Sequence, residues 1–108
     1  MKCFISLYQY NENYQQETIR AIYSKHSGAT SALNKWIEII EDNDFTNHNE
    51  LKAMFPSADY VGNQRYVFNI KGNHYRFVVM MMFLMDFAEI RFCGTHSEYD
   101  KIKDIQNI

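Results

Sequence analysis

Residues Arg65 to Asp100 read RYVFNIKGNHYRFVVMMMFLMDFAEIRFCGTHSEYD, and the fold is decided there. Gly72-Asn73, set between two strand-forming runs, is a pair that supplies the positive φ of a tight hairpin turn. With those two residues as the loop, Lys71 faces His74 and Asn69 faces Arg76. Side chains alternate along a strand, so Asn69, Lys71, His74 and Arg76 share one face of the sheet. Phe68, Ile70, Tyr75 and Phe77 share the other. A second turn is predicted at Met85-Asp86, which places Arg91 opposite Met80 and on the face of Arg76. One side of this sheet is therefore apolar, and the other carries three cations and an imidazole.

The remaining sequence fits a packed α+β protein. A chain of 108 residues that is 46% hydrophobic and 16% aromatic suits one domain, 1–108, with a single core. No stretch is long and apolar enough to span a bilayer, and the start MKCFISLY lacks the pattern of a secretory signal, so a cytoplasmic protein is expected. Cys3 and Cys93 lie in apolar, strand-like surroundings and read as reduced core thiols. No Cys/His cluster has the spacing of zinc ligands, and no metal or cofactor is expected. Residues 1–59 hold five Lys/Arg against eight Asp/Glu, whereas residues 60–108 hold six against five. A net charge of −2 excludes a protein that coats nucleic acid by charge alone. A small cationic site on an acidic body remains compatible with phosphate chemistry.

Upstream, Lys2 to Tyr8 alternates as a first strand, with Cys3, Ile5 and Leu7 on one side. Tyr14 to His26 has the spacing of a short amphipathic helix, which Asn13 can cap and Ser27-Gly28 ends. A second helix runs from Thr30 or Ser31 to about Ile40, with Ala32, Leu33, Trp36, Ile37 and Ile40 on one stripe. Asn49 can cap a single turn from Glu50 to Phe55, stopped by Pro56. The predicted order is β-α-α-β-β-β: a twisted antiparallel sheet with two N-terminal helices on its apolar face and the opposite face partly open. Met80, Met81 and Met82 read as core. The tail Lys101–Ile108 reads as a short helix or a frayed end.

The polar residues carry ordinary structural readings as well as chemical ones. Lys71 and Arg76 can simply keep an exposed sheet face soluble, and Arg91 can pair with Glu89 two residues away. Thr95 and Glu98 have the spacing of a capping box, so Thr95-His96-Ser97-Glu98 can do no more than start a helical turn.

VFNIKGNHYRFVV, EIRFCGTH, THSEYDKI and LKAMFPSADYVGNQR, together with Trp36, resemble the HigB family of bacterial toxins, within the RelE/ParE-like superfamily, across about residues 30 to 103. The resemblance implies a RelE-like fold and a toxin that cleaves messenger RNA on the ribosome. It implies as partner a helix-turn-helix antitoxin (HigA-like), with operator DNA bound only through the antitoxin complex, and no membrane. It places Lys71 and Arg76 at the family's basic positions in NIKGN-x-YR, and Arg91 at the basic position of IRF. His96, Tyr99 and Asp100 match TH-x-EYD. The family often has a Lys where this chain has Met80, so the cationic face is thinner here. A non-enzymic toxin that binds a protein such as a topoisomerase, as in the ParE branch, is the alternative.

Cleavage of the kind the resemblance implies uses no metal: the RNA's 2′-hydroxyl attacks the adjacent phosphorus and leaves a 2′,3′-cyclic phosphate. It needs a base, an acid and charge on the phosphoryl oxygens. Arg76 and Arg91 can grip those oxygens in a fork, with Lys71 as a point charge. An imidazole titrates near neutral pH, which favours His96 as base, with Tyr99 as acid or as a stacking platform. Arg65, Asn73 and His74 are the expected RNA contacts, and Asp100 an orienting group.

Overall fold

Leu33, Trp36 and Ile40 recur at the three- and four-residue spacing of a helix, and they form the buried stripe of α1 (Thr30–Glu41). The computed structural model describes residues 1–5, 27–70 and 74–108. The expected helix over 14–26 and the Gly72-Asn73 turn lie outside them. After α1 come α2 (His48–Met54), β2 (Asp59–Gly62), β3 (Arg65–Ile70), β4 (Tyr75–Met82), β5 (Phe87–Thr95) and α3 (His96–Asp100), with β1 (Lys2–Ile5) at the start. Asn47, not Asn49, caps α2, its side chain accepting from the Glu50 amide.

The fold is α+β, as expected, but the sheet is mixed. Its order is β1-β5-β4-β3-β2, and β1 runs parallel to its neighbour β5. β2, which the sequence reading left out of the sheet, pairs antiparallel with β3. It turns into β3 through Asn63 and Gln64, both with positive φ (49° and 67°).

The register of the first hairpin is the expected one, with Asn69 opposite Arg76 and Ile70 opposite Tyr75. The second hairpin differs. Met82 pairs with Phe87, so the turn takes up the four residues between them rather than two. Glu89, not Arg91, stands opposite Met80. Val78 pairs with Phe92 while Val79 pairs with Ile90, which leaves Arg91 as the extra residue of a β-bulge.

The helix-bearing face holds the larger core. Trp36 packs edge-on against Phe68 and Phe77, with ring centroids 5.1 and 5.8 Å away. Val79, Met81, Ala88, Ile90 and Cys93 complete the floor. Burial pushes the Cys3 and Cys93 thiols up to about 12, and both cysteines are free. Of the three consecutive methionines only Met81 is fully buried; Met80 and Met82 point to the other face and are half-buried.

That other face is not open. Val67, Val78 and Phe92 are buried beneath Tyr99, Ile102, Ile105 and Ile108. The tail is held by polar contacts rather than frayed. Gln106 Nε2 donates to the Val61 carbonyl (2.7 Å), Asn63 Nδ2 donates to the Gln106 carbonyl (2.8 Å), and Arg65 Nη2 donates to the Ile108 carbonyl (2.8 Å). Among the described residues, no helix is long and apolar enough to cross a membrane.

Candidate active site

Three cross-strand rows stand on the tail-covered face: Asn69–Arg76–Gly94, Val67–Val78–Phe92, and Arg65–Met80–Glu89. The middle row is apolar and lies under the tail, so it divides the polar residues into two groups. Met80 is four positions along the strand from Arg76, a distance of about 13 Å at the usual strand rise.

The first group is built around Arg76. Its guanidinium carbon lies 4.7 Å from the centre of the Tyr99 ring, a cation–π contact. Its strand neighbour is Gly94, and the missing side chain there matters. A Cβ at Gly94 would lie 2.7 Å from Phe92 Cζ and 2.8 Å from Glu98 Oε1. Glu98 belongs to the capping box of α3. Thr95 N donates to Glu98 Oε1 at 2.9 Å, and Glu98 N donates to Thr95 Oγ1 at 3.3 Å. The cap sets the start of α3 and with it the positions of His96 and Tyr99. These two are three residues apart, on the same side of a helical turn. The sequence spacing of Thr95 and Glu98 was sufficient to find the cap; the part played by Gly94 needed the opposing strand.

Arg76 Nε, Asn69 Oδ1 and His96 Nε2 are covered and have no hydrogen-bond partner among the described residues. Covered polar atoms without partners are costly; Arg65 Nε in the second group and Trp36 Nε1 in the core are in the same condition among the described residues, so such atoms are not confined to this row. Asn69 is thus a further candidate, which the sequence reading placed on this face but gave no role.

The second group is Arg65, Glu89 and Arg91. Arg91 Nη1 donates to Glu89 Oε1 at 2.5 Å, so the expected surface pair is present. Burial, and then the positive charge of Arg91, hold the Arg65 guanidinium below its ordinary value, with Glu89 opposing. Arg65 Nη1 and Nη2 are engaged by the carbonyls of Asn63 and Ile108, both at 2.8 Å. His74 and Asp100 are exposed; Lys71 and Asn73 lie outside the described residues. Of the expected site residues, then, Arg76 and Tyr99 are in contact and His96 lies on the same helical turn as Tyr99. Arg65 and Arg91 form a separate cluster beyond the apolar row.

A profile of the HigB toxin family, described as the RelE-like toxic component of a toxin–antitoxin system, matches residues 29–102. The chain is 28% identical over 80 residues to an mRNA interferase HigB of Escherichia coli O6:H1, covering 72% of this chain and 78% of that protein. It is 44% identical over 59 residues to the mRNA interferase toxin HigB of Escherichia coli K12, covering 52% of this chain and 56% of that protein. The same figures hold for an mRNA interferase HigB of Shigella flexneri, so the chain spans just over half the length of these last two relatives. With more than half of its residues inside the matched region, the chain belongs to the HigB family of RelE-like toxins.

Proposed function

We propose that this chain is the toxic half of a toxin–antitoxin pair and cleaves messenger RNA during translation, through attack of the RNA's own 2′-hydroxyl. The observation that carries the proposal is the Arg76–Tyr99 contact beside His96, on a turn fixed by its capping box, in a chain whose relatives bear the name mRNA interferase.

In the proposed reaction Arg76 takes a phosphoryl oxygen in fork geometry and stabilises the charge that builds up in the transition state. His96 removes the 2′-proton, and Tyr99 either protonates the leaving 5′-oxygen or stacks against a base. Lys71 adds a positive charge near the same phosphate. Arg65, on the row about 13 Å from Arg76 along the strands, and Arg91, at the bulge beside Glu89, contact the RNA backbone away from the scissile bond, with Asn73 and His74 as further contacts. The antitoxin is the protein partner, and the ribosome presents the message.

Two products identify this reaction: upstream fragments ending in a 2′,3′-cyclic phosphate and downstream fragments beginning with a free 5′-hydroxyl. A message carrying a 2′-deoxy residue at the scissile position should resist cleavage there. Cleavage of the deoxy substrate, or linear phosphate ends formed from the outset, would overturn the mechanism. Growth arrest with intact messenger RNA would point instead to a protein target.

A further inference from the structure

Glu89 stands beside the two arginines of the second group, and the strand is shaped to put it there. Ile90 packs in the helix-side core and Phe92 under the tail, although they are two residues apart. A regular strand turns residues two apart to the same face. The extra residue of the bulge, Arg91, makes the switch, and bulges re-aim side chains in this way. Glu89 and Arg91 meet as a result on the tail-covered face. Arg91 Nη1 donates to Glu89 Oε1 at 2.5 Å, and only 24% and 22% of the two side chains are exposed.

Arg65 completes the group. It stands in the same cross-strand row as Glu89, with Met80 between them. Its guanidinium is fixed by the backbone oxygens of Asn63 and Ile108, each at 2.8 Å. Arg91 and Glu89 both act on its charge, the first against it and the second in its favour. Two guanidinium groups therefore share the field of one carboxylate.

A carboxylate and a phosphodiester make the same demand on a guanidinium, since each presents two oxygens to the N–H fork. Glu89 Oε1 thus takes the place at Arg91 that a phosphoryl oxygen of a bound backbone would take. An ion pair that is mostly covered is screened less than one in open water. A phosphate arriving at Arg91 has to displace this carboxylate or bear its repulsion, and either one lowers affinity.

We propose that Arg65 and Arg91 form a second phosphate subsite for the RNA backbone, and that Glu89 is its resident anion, which the phosphate must displace. The proposal rests on the reading of this face as the RNA-cleaving one, and adds the residue that limits how tightly the backbone is held. Glu89 acts on binding and not on the scissile bond, because its row lies about 13 Å along the strands from that of Arg76.

The test uses Glu89→Gln, which keeps the shape of the side chain and an oxygen able to accept from Arg91, but removes the charge. The probe is a short single-stranded RNA methylated at every 2′-hydroxyl, which 2′-attack cannot cleave, titrated with the full chain over a range of salt. The variant should bind it about tenfold more tightly, as for one charge-assisted hydrogen bond gained. Its affinity should also fall more steeply with salt, by about 0.7 in the logarithmic slope, the value for one further phosphate contact on a single strand. The melting temperature should stay that of the unaltered chain. Glu38→Gln makes the same change of charge at an exposed position of α1, on the helix side, and should alter binding by less than about twofold. In an Arg91→Ala background the gain from Glu89→Gln should largely disappear, because the arginine it releases is gone.

Unchanged binding by Glu89→Gln overturns the proposal and leaves a plain surface pair. Weaker binding also overturns it, and would make Glu89 the support that aims Arg91. An equal gain in Glu38→Gln would be the effect of net charge alone and would refute the subsite, as would a failure of every chain to bind the RNA. The titration needs no nuclease activity. A Glu89 effect in a chain that leaves translated messages intact would keep the subsite and sink the nuclease reading; cleavage without a Glu89 effect would do the reverse.

Discussion

The two faces of the β-sheet are covered in different ways, and the difference separates the main core from the candidate site. On one face α1 lays Leu33, Trp36 and Ile40 onto Phe68, Phe77 and Val79, and the packing is apolar throughout. On the other, a short tail covers only the middle row, Val67–Val78–Phe92, and leaves arginines on either side of it. Helix packing buries a wide stripe and tolerates no charge. A single extended segment buries a narrow one, and the rows it leaves at each side are where Arg76, Arg65 and Arg91 can remain partly solvated. A binding surface for a polyanion needs that arrangement, because burying the cations fully would cost more than their contacts return.

If the helix face is the stabilising one, Trp36→Ala should have the largest effect. The ring is 2% exposed and touches three aromatic neighbours, Phe55, Phe68 and Phe77. Its removal should cost about 3–5 kcal/mol, read from denaturant unfolding, with toxicity lost through unfolding. A cost under about 1 kcal/mol would mean that the helix face is not the main core.

The tail face should respond more weakly. Ile108 is 3% exposed but belongs to a segment that can shift to close the gap, so Ile108→Ala should cost about 2 kcal/mol, the low end for a buried isoleucine. A cost equal to that of Trp36→Ala would make the two faces equivalent and remove the contrast. No effect at all would mean that the tail is not packed in solution.

Much of this was legible from local pattern, and the departures share one cause. The α1 stripe, the Asn69–Arg76 register and the Thr95–Glu98 cap each depend on residues within a few positions of one another, or on one tight turn. The bulge at Arg91 does not. Strict alternation from Phe87 to Thr95 gives no sign of it, because an extra residue in a strand is defined only by the partner strand. The parallel pairing of β1 with β5 joins residues more than eighty positions apart and has no local signature. The tail's alternation of Ile and charged residues was visible, but its role depends on the apolar row beneath it. At the candidate site Arg76, His96 and Tyr99 were identified from motif positions. The separation of Arg91 from them followed from the bulge and the covered middle row, and was not legible.

The central claim is that the polar residues beside the tail do chemistry and carry little of the fold. The most direct measurement is single-turnover cleavage of a translated message by Arg76→Ala and His96→Ala, alongside their melting curves. Arg76→Ala loses a cation–π contact with Tyr99, worth about 1 kcal/mol or less at a partly exposed site. His96→Ala removes a side chain outside both apolar clusters. Both variants should therefore melt close to the unaltered chain, while the His96 variant cleaves about 10²–10⁴-fold more slowly and the Arg76 variant falls by a similar factor. Cleavage at the unaltered rate by folded His96→Ala, or a melting loss as large as that of Trp36→Ala, would contradict the account and leave His96 as no more than the first residue of a capped turn.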